Sequence, residues 1–192
     1  MAYTSEADPL CYPGTTVLRN LLELQVQEEL DEAELILFLE RAEEPFPAGD
    51  LGPDHYLSLH HHLFQDVYGW AGQIRTIRIG KGQNWFCFPE YIQVSLAKAF
   101  AEYGDPDEVA ALPVQMFVQR TAHLLAEINA VHPFREGNGR TQLAFLNLLA
   151  ANAGYTIDHA HLEPERVLAA MIDSFDGDER ALSALLAEAL MH

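Results

Sequence analysis

His132-Pro133-Phe134-Arg135-Glu136-Gly137-Asn138-Gly139-Arg140 lies between two helical patterns, and its glycines decide how the chain turns from one into the next. Upstream, from Pro113, the apolar residues Phe117, Leu124, Leu125 and Ile128 recur at helical spacing. Downstream, Leu143, Leu146, Leu149 and Ala150 do the same as far as Gly154, a residue suited to a left-handed helix stop. Between them, Gly137 and Gly139 permit conformations in which successive backbone N–H groups converge on one concavity, and a helix starting there adds its positive dipole end. Phosphate suits such a nest. Arg140 in the first helical turn opposes the dipole at a cost of up to ~1 kcal/mol, and a bound polyanion reverses that sign. Glu136 is a hard oxygen ligand of the kind that Mg²⁺ takes, one or two at a time, when it bridges phosphates. His132 titrates around neutrality and can accept a proton from a nucleophile. Each feature alone has an ordinary structural explanation, and their coincidence within nine residues points to chemistry.

Working outward, Leu30 to Arg41 has helical spacing and stops before Pro45 and Pro47, which predicts an amphipathic helix. Asp54 can cap a second helix with Leu57, Phe64, Val67 and Tyr68 on one face. The period then changes. Ile74, Thr76 and Arg78 alternate with Arg75, Ile77 and Ile79, Gly80-Lys81-Gly82 follows, and Trp85-Phe86-Cys87-Phe88 is a second β-prone run, so a β-hairpin is predicted. Pro89 opens a helix carrying Ile92, Leu96 and Phe100, and Asp105-Pro106-Asp107 marks a loop. From Pro164 to Leu190 one or two more helices follow, with Val167, Met171, Leu182, Leu186 and Leu190 as core positions. The expectation is an all-α domain with one hairpin, and an isolated hairpin needs a packing or binding reason.

Composition narrows the function. Eleven Lys and Arg stand against 29 Asp and Glu, a formal charge of −18. Such a chain has no basic stripe for a phosphate backbone, so neither direct nucleic-acid binding nor docking to an anionic membrane is expected. Hydrophobic residues make up 49% of the sequence, enough for one buried core in 192 residues. Met1 to Pro9 has neither the basic nor the apolar region of a targeting peptide, and Cys11 and Cys87 match no zinc or redox spacing, so cytoplasmic residence with reduced thiols is expected. His55, His60, His61 and His62 lie on or near one helix, but no Cys or second cluster completes a zinc set.

The residues His132 to Arg140 match His-x-Phe-x-(Asp/Glu)-Gly-Asn-Gly-Arg, the motif of the Fic (filamentation induced by cAMP) family, at every specified position. Leu63 to Thr76 resembles the segment leading into that family's flap, and Tyr12 to Asn20 resembles the start of its small stand-alone members. The resemblance implies an all-helical Fic fold with a hairpin flap over the site, as one domain over residues 1–192. Residues 1–50 form its N-terminal arm and helices, 51–160 the core with flap 74–88 and motif 132–140, and 161–192 the C-terminal helices. It also implies a protein adenylyltransferase that moves AMP from ATP to a Tyr, Ser or Thr hydroxyl of a target protein. By that resemblance His132 is the base, Phe134 anchors the loop and Glu136 holds Mg²⁺. Arg135, Glu136, Gly137, Asn138, Gly139, Arg140 and Lys81 meet the nucleotide, with Asn138 adding a side-chain hydrogen bond. Flap residues Thr76, Ile77, Arg78, Ile79, Gly80 and Phe86 hold the target segment by strand addition.

Two departures matter. Many family members carry a second arginine three residues after the motif arginine, and this chain has Leu143 there. The family's inhibitory string (Ser/Thr)-x-x-x-Glu-(Gly/Asn) is missing from the sequence, its nearest approach being Ser174 to Glu179 with Asp178 in the glutamate position. The resemblance therefore leaves open a toxin partnered by a small antitoxin, a bacterial type II topoisomerase as target, and a donor other than ATP. A phosphotransferase of the Doc type is one alternative, although Doc motifs usually carry Lys where Gly139 stands. A non-catalytic acidic binding module with a decayed nucleotide site is the other.

Overall fold

Two long helices meet at the motif, and the remaining elements pack around them. The computed structural model describes residues 8–81 and 84–191. In chain order come α1 (Gln27–Glu43), α2 (Pro53–Phe64), β1 (Gly80–Lys81), β2 (Asn84–Trp85), a 3₁₀ turn at Pro89–Tyr91, α3 (Ile92–Tyr103), α4 (Pro106–Ala110), α5 (Val114–Val131) and α6 (Asn138–Asn152). Then follow β3 (Thr156–Ile157), α7 (Pro164–Phe175), α8 (Arg180–Ala189) and β4 (Leu190–Met191). α5 packs against α3, α6, α7 and α8, while α6 packs against α2, α4 and α5. Tyr56, Phe64, Phe117, Phe134 and Phe145 are the large side chains at the centre of the core. The all-α class with one flap hairpin is the architecture observed, joined by a small antiparallel pair, β3 with β4, that closes the C-terminal end.

Four expectations are corrected. The hairpin is far shorter than its β-prone runs: the ladder consists of Gly80 opposite Trp85 and Lys81 opposite Asn84, and Ile74 to Ile79 is not strand. The reason is that Arg75 draws this segment onto the end of α5, as described below. The predicted turn at Gly82 lies outside the described residues. Asp105-Pro106-Asp107 opens a helix instead of remaining a loop, because the Asp105 carboxylate accepts the N–H groups of Asp107 and Glu108 and Pro106 occupies the first helical position. α2 is entered through Gly52 and Pro53, leaving Asp54 in the first turn without a capping bond.

α1 is the largest departure. Leu35, Ile36 and Leu39 are each about half exposed at 51%, 51% and 52%, while Leu30 and Glu34 are the buried residues of this helix. A glutamate thus occupies a position, one turn after Leu30, that an amphipathic pattern reserves for an apolar residue.

Candidate active site

α5 ends in a left-handed residue at His132 (φ 51°, ψ 65°) and α6 is entered through a second one, Gly137 (φ 80°). A β-carbon-bearing residue at positive φ is strained, and such strain persists where surrounding contacts over-determine it. Here they do. The Asn138 side chain closes the loop on itself, its Oδ1 accepting the Phe134 N–H at 2.9 Å and its Nδ2 donating to the Phe134 carbonyl at 2.8 Å. The Phe134 ring is fully buried and stacks on the His60 imidazole with centroids 3.7 Å apart. His60 Nδ1 accepts the Gly72 N–H at 2.8 Å, which leaves its Nε2–H to donate to the Glu136 carbonyl at 3.0 Å. Burial lowers the His60 pKa to about 3, so this imidazole works as a neutral two-ended brace. A Cβ on Gly137 would lie 2.5 Å from the Phe64 ring, so glycine is required there by space as well as by φ.

Beyond the brace, α6 begins with the N–H groups of Asn138, Gly139 and Arg140, which, as the first of a helix, have no partner within it. Gly139 is exposed, and a Cβ there would meet nothing within 4 Å, so the backbone can be approached closely from outside. Glu136 receives the Gly137 N–H on Oε1 at 2.9 Å and stands 3.8 Å from Arg140 Nη2. Burial, with help from the Glu34 carboxylate, pushes its pKa up, while the Gly137 N–H and the charge of Arg140 act the other way. Arg140 is ion-paired with Glu34 of α1, and its guanidinium lies 4.7 Å from the Phe64 ring centroid and 5.2 Å from that of Phe38.

His132, the residue that ends α5, opens the loop that leads into α6. Its Nδ1 meets the Asn129 carbonyl at 3.2 Å, a contact that places the proton on Nδ1 and makes Nε2 the basic nitrogen. The ring is stacked against Phe86 of the flap, centroids 3.7 Å apart and planes 11° from parallel. Burial, followed by the charges of Arg75 and Lys81, lowers its pKa to about 3. The imidazole is therefore neutral at neutral pH, the form a general base requires.

Several expected residues take positions that the sequence did not disclose. Arg135 is buried, and its Nε pairs with Asp8 Oδ2 at 2.6 Å, which ties the motif loop to the N-terminal arm. Both functional groups of the Asn138 side chain bond the loop's own backbone. In the flap, Thr76 and Arg78 are exposed, Ile77 is half-buried, and Ile79, Gly80 and Phe86 are buried. The Arg78 guanidinium lies over Phe88 at 3.9 Å and Trp85 at 4.8 Å. Leu143 is partly buried against the core. The helix-borne histidines are structural: His55 bonds the Leu51 N–H and the Pro47 carbonyl, His61 the Ala71 carbonyl and His62 the Arg41 carbonyl.

Two residues of consequence were missed. Arg75 is 3% exposed and donates to four carbonyls: Nε to His132 at 2.7 Å, Nη1 to Ile77 at 2.6 Å, and Nη2 to Cys87 at 2.6 Å and to Val131 at 3.1 Å. Its signal was present, since it shares the alternating face of Ile77 and Ile79, where a cation is out of place. Glu34 has the same kind of signal, falling on the buried side of α1 four residues after Leu30.

Among the described residues, no group of three or more His, Cys, Asp and Glu could hold a metal ion by itself, and no helix is long and apolar enough to cross a membrane. Comparison with known proteins is consistent with this geometry. A model of the Fic/DOC family matches residues 50–150. Probable protein adenylyltransferase y4lH of Sinorhizobium fredii is 55% identical over 183 residues, which cover 95% of each chain. Probable protein adenylyltransferase Fic of Escherichia coli K12 is 33% identical over 186 residues, covering 94% of this chain and 91% of that one. The crystal structure of the N-terminal Fic domain of a VirB-translocated Bep effector protein from Bartonella quintana, with bound ADP, superposes with a TM-score of 0.86 at 25% identity, covering 95% of this chain and 94% of that one.

Proposed function

The chain belongs to the Fic/DOC family, and on that premise we propose that it is a protein adenylyltransferase, transferring AMP from ATP to a side-chain hydroxyl of a target protein. The observation that carries this reading is the His132 imidazole, its Nδ1 turned to the Asn129 carbonyl so that Nε2 is the basic nitrogen, in the same short loop as the start of α6, Glu136 and Arg140. In the proposed reaction Nε2 of His132 takes the proton of the target hydroxyl. The hydroxyl oxygen bonds to the α-phosphorus, and the bond from that phosphorus to the bridging oxygen breaks, its electron pair leaving with pyrophosphate. The N–H groups of Asn138, Gly139 and Arg140 and the dipole of α6 carry the negative charge that accumulates on the phosphates. That same polyphosphate charge favours the imidazolium as it forms, offsetting the low basicity of His132 in the free protein.

The donor set fits Mg²⁺, because Glu136 offers one hard carboxylate beside backbone N–H groups that would seat phosphates, and Mg²⁺ usually takes only one or two protein carboxylates there. When bound it would supply charge neutralisation between phosphate oxygens. Lys81 and the exposed flap residues Thr76 and Arg78 are the proposed contacts to nucleotide and target, and the proposed setting is the cytoplasm. A toxin role with a small antitoxin rests on the missing inhibitory string, and a bacterial type II topoisomerase as target rests on resemblance to the small Fic toxins alone.

Leu143 favours a second reading. It supplies no cation where many relatives place one, so a different nucleotide or a phosphate donor is the alternative. The deciding experiment is intact-protein mass spectrometry after incubation with Mg²⁺ and each common nucleoside triphosphate, with and without a type II topoisomerase. The expected outcome is an adenylyl increment from ATP that falls by about 10²-fold to 10⁴-fold in His132→Ala. An increment from another nucleotide, or a bare phosphate, would establish the second reading. Neither an increment nor nucleotide binding would leave the acidic binding module.

A further inference from the structure

Glu34 is 8% exposed, and its carboxylate lies between two donors from different parts of the fold: the Tyr68 hydroxyl and the Arg140 guanidinium. Burying a carboxylate on the inner side of α1 is costly, and an apolar residue of similar size would serve packing better. Its neighbours on that helix sharpen the point, since Leu35, Ile36 and Leu39 remain half exposed while the glutamate is inside. Tyr68 is itself buried, and burial together with the Glu34 carboxylate raises its pKa, so the phenol stays protonated and donates to Glu34.

We propose that Glu34, oriented by Tyr68, is a positioning residue for Arg140 that fixes the guanidinium at the edge of the phosphate nest. Arg140 has every reason to move without it. It starts a helix whose dipole repels it, it retains 29% exposure of its side chain, and its nearest other carboxylate, Glu136, is 3.8 Å away. Three contacts together define one place for the guanidinium: the ion pair to Glu34, the Phe64 ring at 4.7 Å and the Phe38 ring at 5.2 Å. Phe38 is one turn after Glu34 on α1, so a single helix supplies both the charge partner and part of the platform. Glu34 engages Arg140 through Nη2, and the guanidinium keeps further N–H groups with which to meet an anion. A carboxylate held by Tyr68 in the core is an anchor and not a competitor for the phosphates, because it cannot swing into the nest.

The inference rests on the adenylyltransferase reading for its catalytic consequence, but its physical core can be read without activity. Holding a charge within a fraction of an ångström of its working position affects the transition state more than ground-state binding. In Glu34→Gln, which keeps shape and hydrogen bonding but removes the charge, the maximal rate of adenylyl incorporation should fall about tenfold to a hundredfold while half-saturation by ATP stays nearly unchanged. Tyr68→Phe should act in the same direction and less strongly. In an Arg140→Ala background, Glu34→Gln should have no further effect on rate, since it acts through that arginine. The readout independent of activity is ¹⁵N relaxation of the Arg140 side-chain Nε–H, rigid in the wild type and mobile in Glu34→Gln. Faster transfer with tighter ATP binding in Glu34→Gln would make Glu34 an inhibitor and overturn the proposal. An equal loss with and without Arg140 would overturn it too, by making the role merely structural. A wild type that transfers nothing, yet shows a rigid Arg140 loosened by Glu34→Gln, would remove the adenylyltransferase reading and leave the anchoring supported.

Discussion

The motif loop and the flap face each other across His132, and they are held in opposite ways. The loop between α5 and α6 is closed from within: Asn138, four residues after Phe134, bonds both polar groups of that residue's backbone, and Gly137 supplies the turn. Among its described residues, the flap's internal backbone bonds are few: its short ladder and the Phe86 N–H donating to the Ile79 carbonyl at 3.2 Å. The ladder pairs two residues with two, and the Arg75 guanidinium ties it to the core, spread over carbonyls of the flap and of the end of α5. Two further ties run the same way, from the Arg75 N–H to the Pro133 carbonyl at 2.9 Å and from the Cys87 N–H to the Ala130 carbonyl at 3.3 Å. In the proposed reaction the phosphates, which need fixed geometry, would meet the self-closed element, and the target segment would meet the flap.

The largest effect that would test this contrast is Arg75→Ala. It leaves four carbonyls without their donor, and at about 1 kcal/mol each the expected loss of unfolding free energy is about 4 kcal/mol by urea denaturation. A loss under ~1 kcal/mol would mean that the flap stands without its clamp. Next comes Asn138→Ala, which removes two buried hydrogen bonds within the loop. The expected cost is about 3 kcal/mol, together with loss of nucleotide binding by calorimetry, because the start of α6 is no longer set. A variant that binds nucleotide normally would show that the loop is held from outside, as the flap is.

The third effect is pH dependence. His60 and His132 have pKa values lowered to about 3 by burial, whereas an imidazole in the unfolded chain titrates near 6.5. Below about pH 6.5 the unfolded state therefore binds protons that the folded state refuses, and stability falls as the pH falls; above it these groups contribute no slope. By pH 5 each should have cost about 2 kcal/mol. Denaturation series between pH 5 and pH 8 check this, and His60→Gln should remove about half of the slope. A flat profile would show that the brace of the motif loop is solvated after all.

Much of this was legible in the sequence, and the reason differs by region. Helix-forming patterns such as Phe117 to Ile128 and Leu143 to Ala150 repeat at the helical period, so their faces could be read directly, and the glycines of the motif marked the turn between them. β-prone residues at 74–79 misled, because alternation reports a half-buried extended segment and cannot say whether its backbone pairs with another strand or with an arginine. α1 misled for a related reason: the pattern counts apolar residues on a face but cannot tell that Glu34 is inside. Arg135 and Asn138 were placed in the right loop, but their partners, Asp8 and the backbone of Phe134, were set by folding.

What the sequence determined by itself is everything that depends on residue type and short spacing: the helical class, the motif between α5 and α6, and the glycine turn that joins these two helices. What only the tertiary structure decided is which charged groups pair with which. Asp8 lies 127 residues from Arg135, and Glu34 lies 106 residues from Arg140. Side chains that far apart carry no mutual signature in a single sequence, because whether two such groups meet depends on how the helices between them pack.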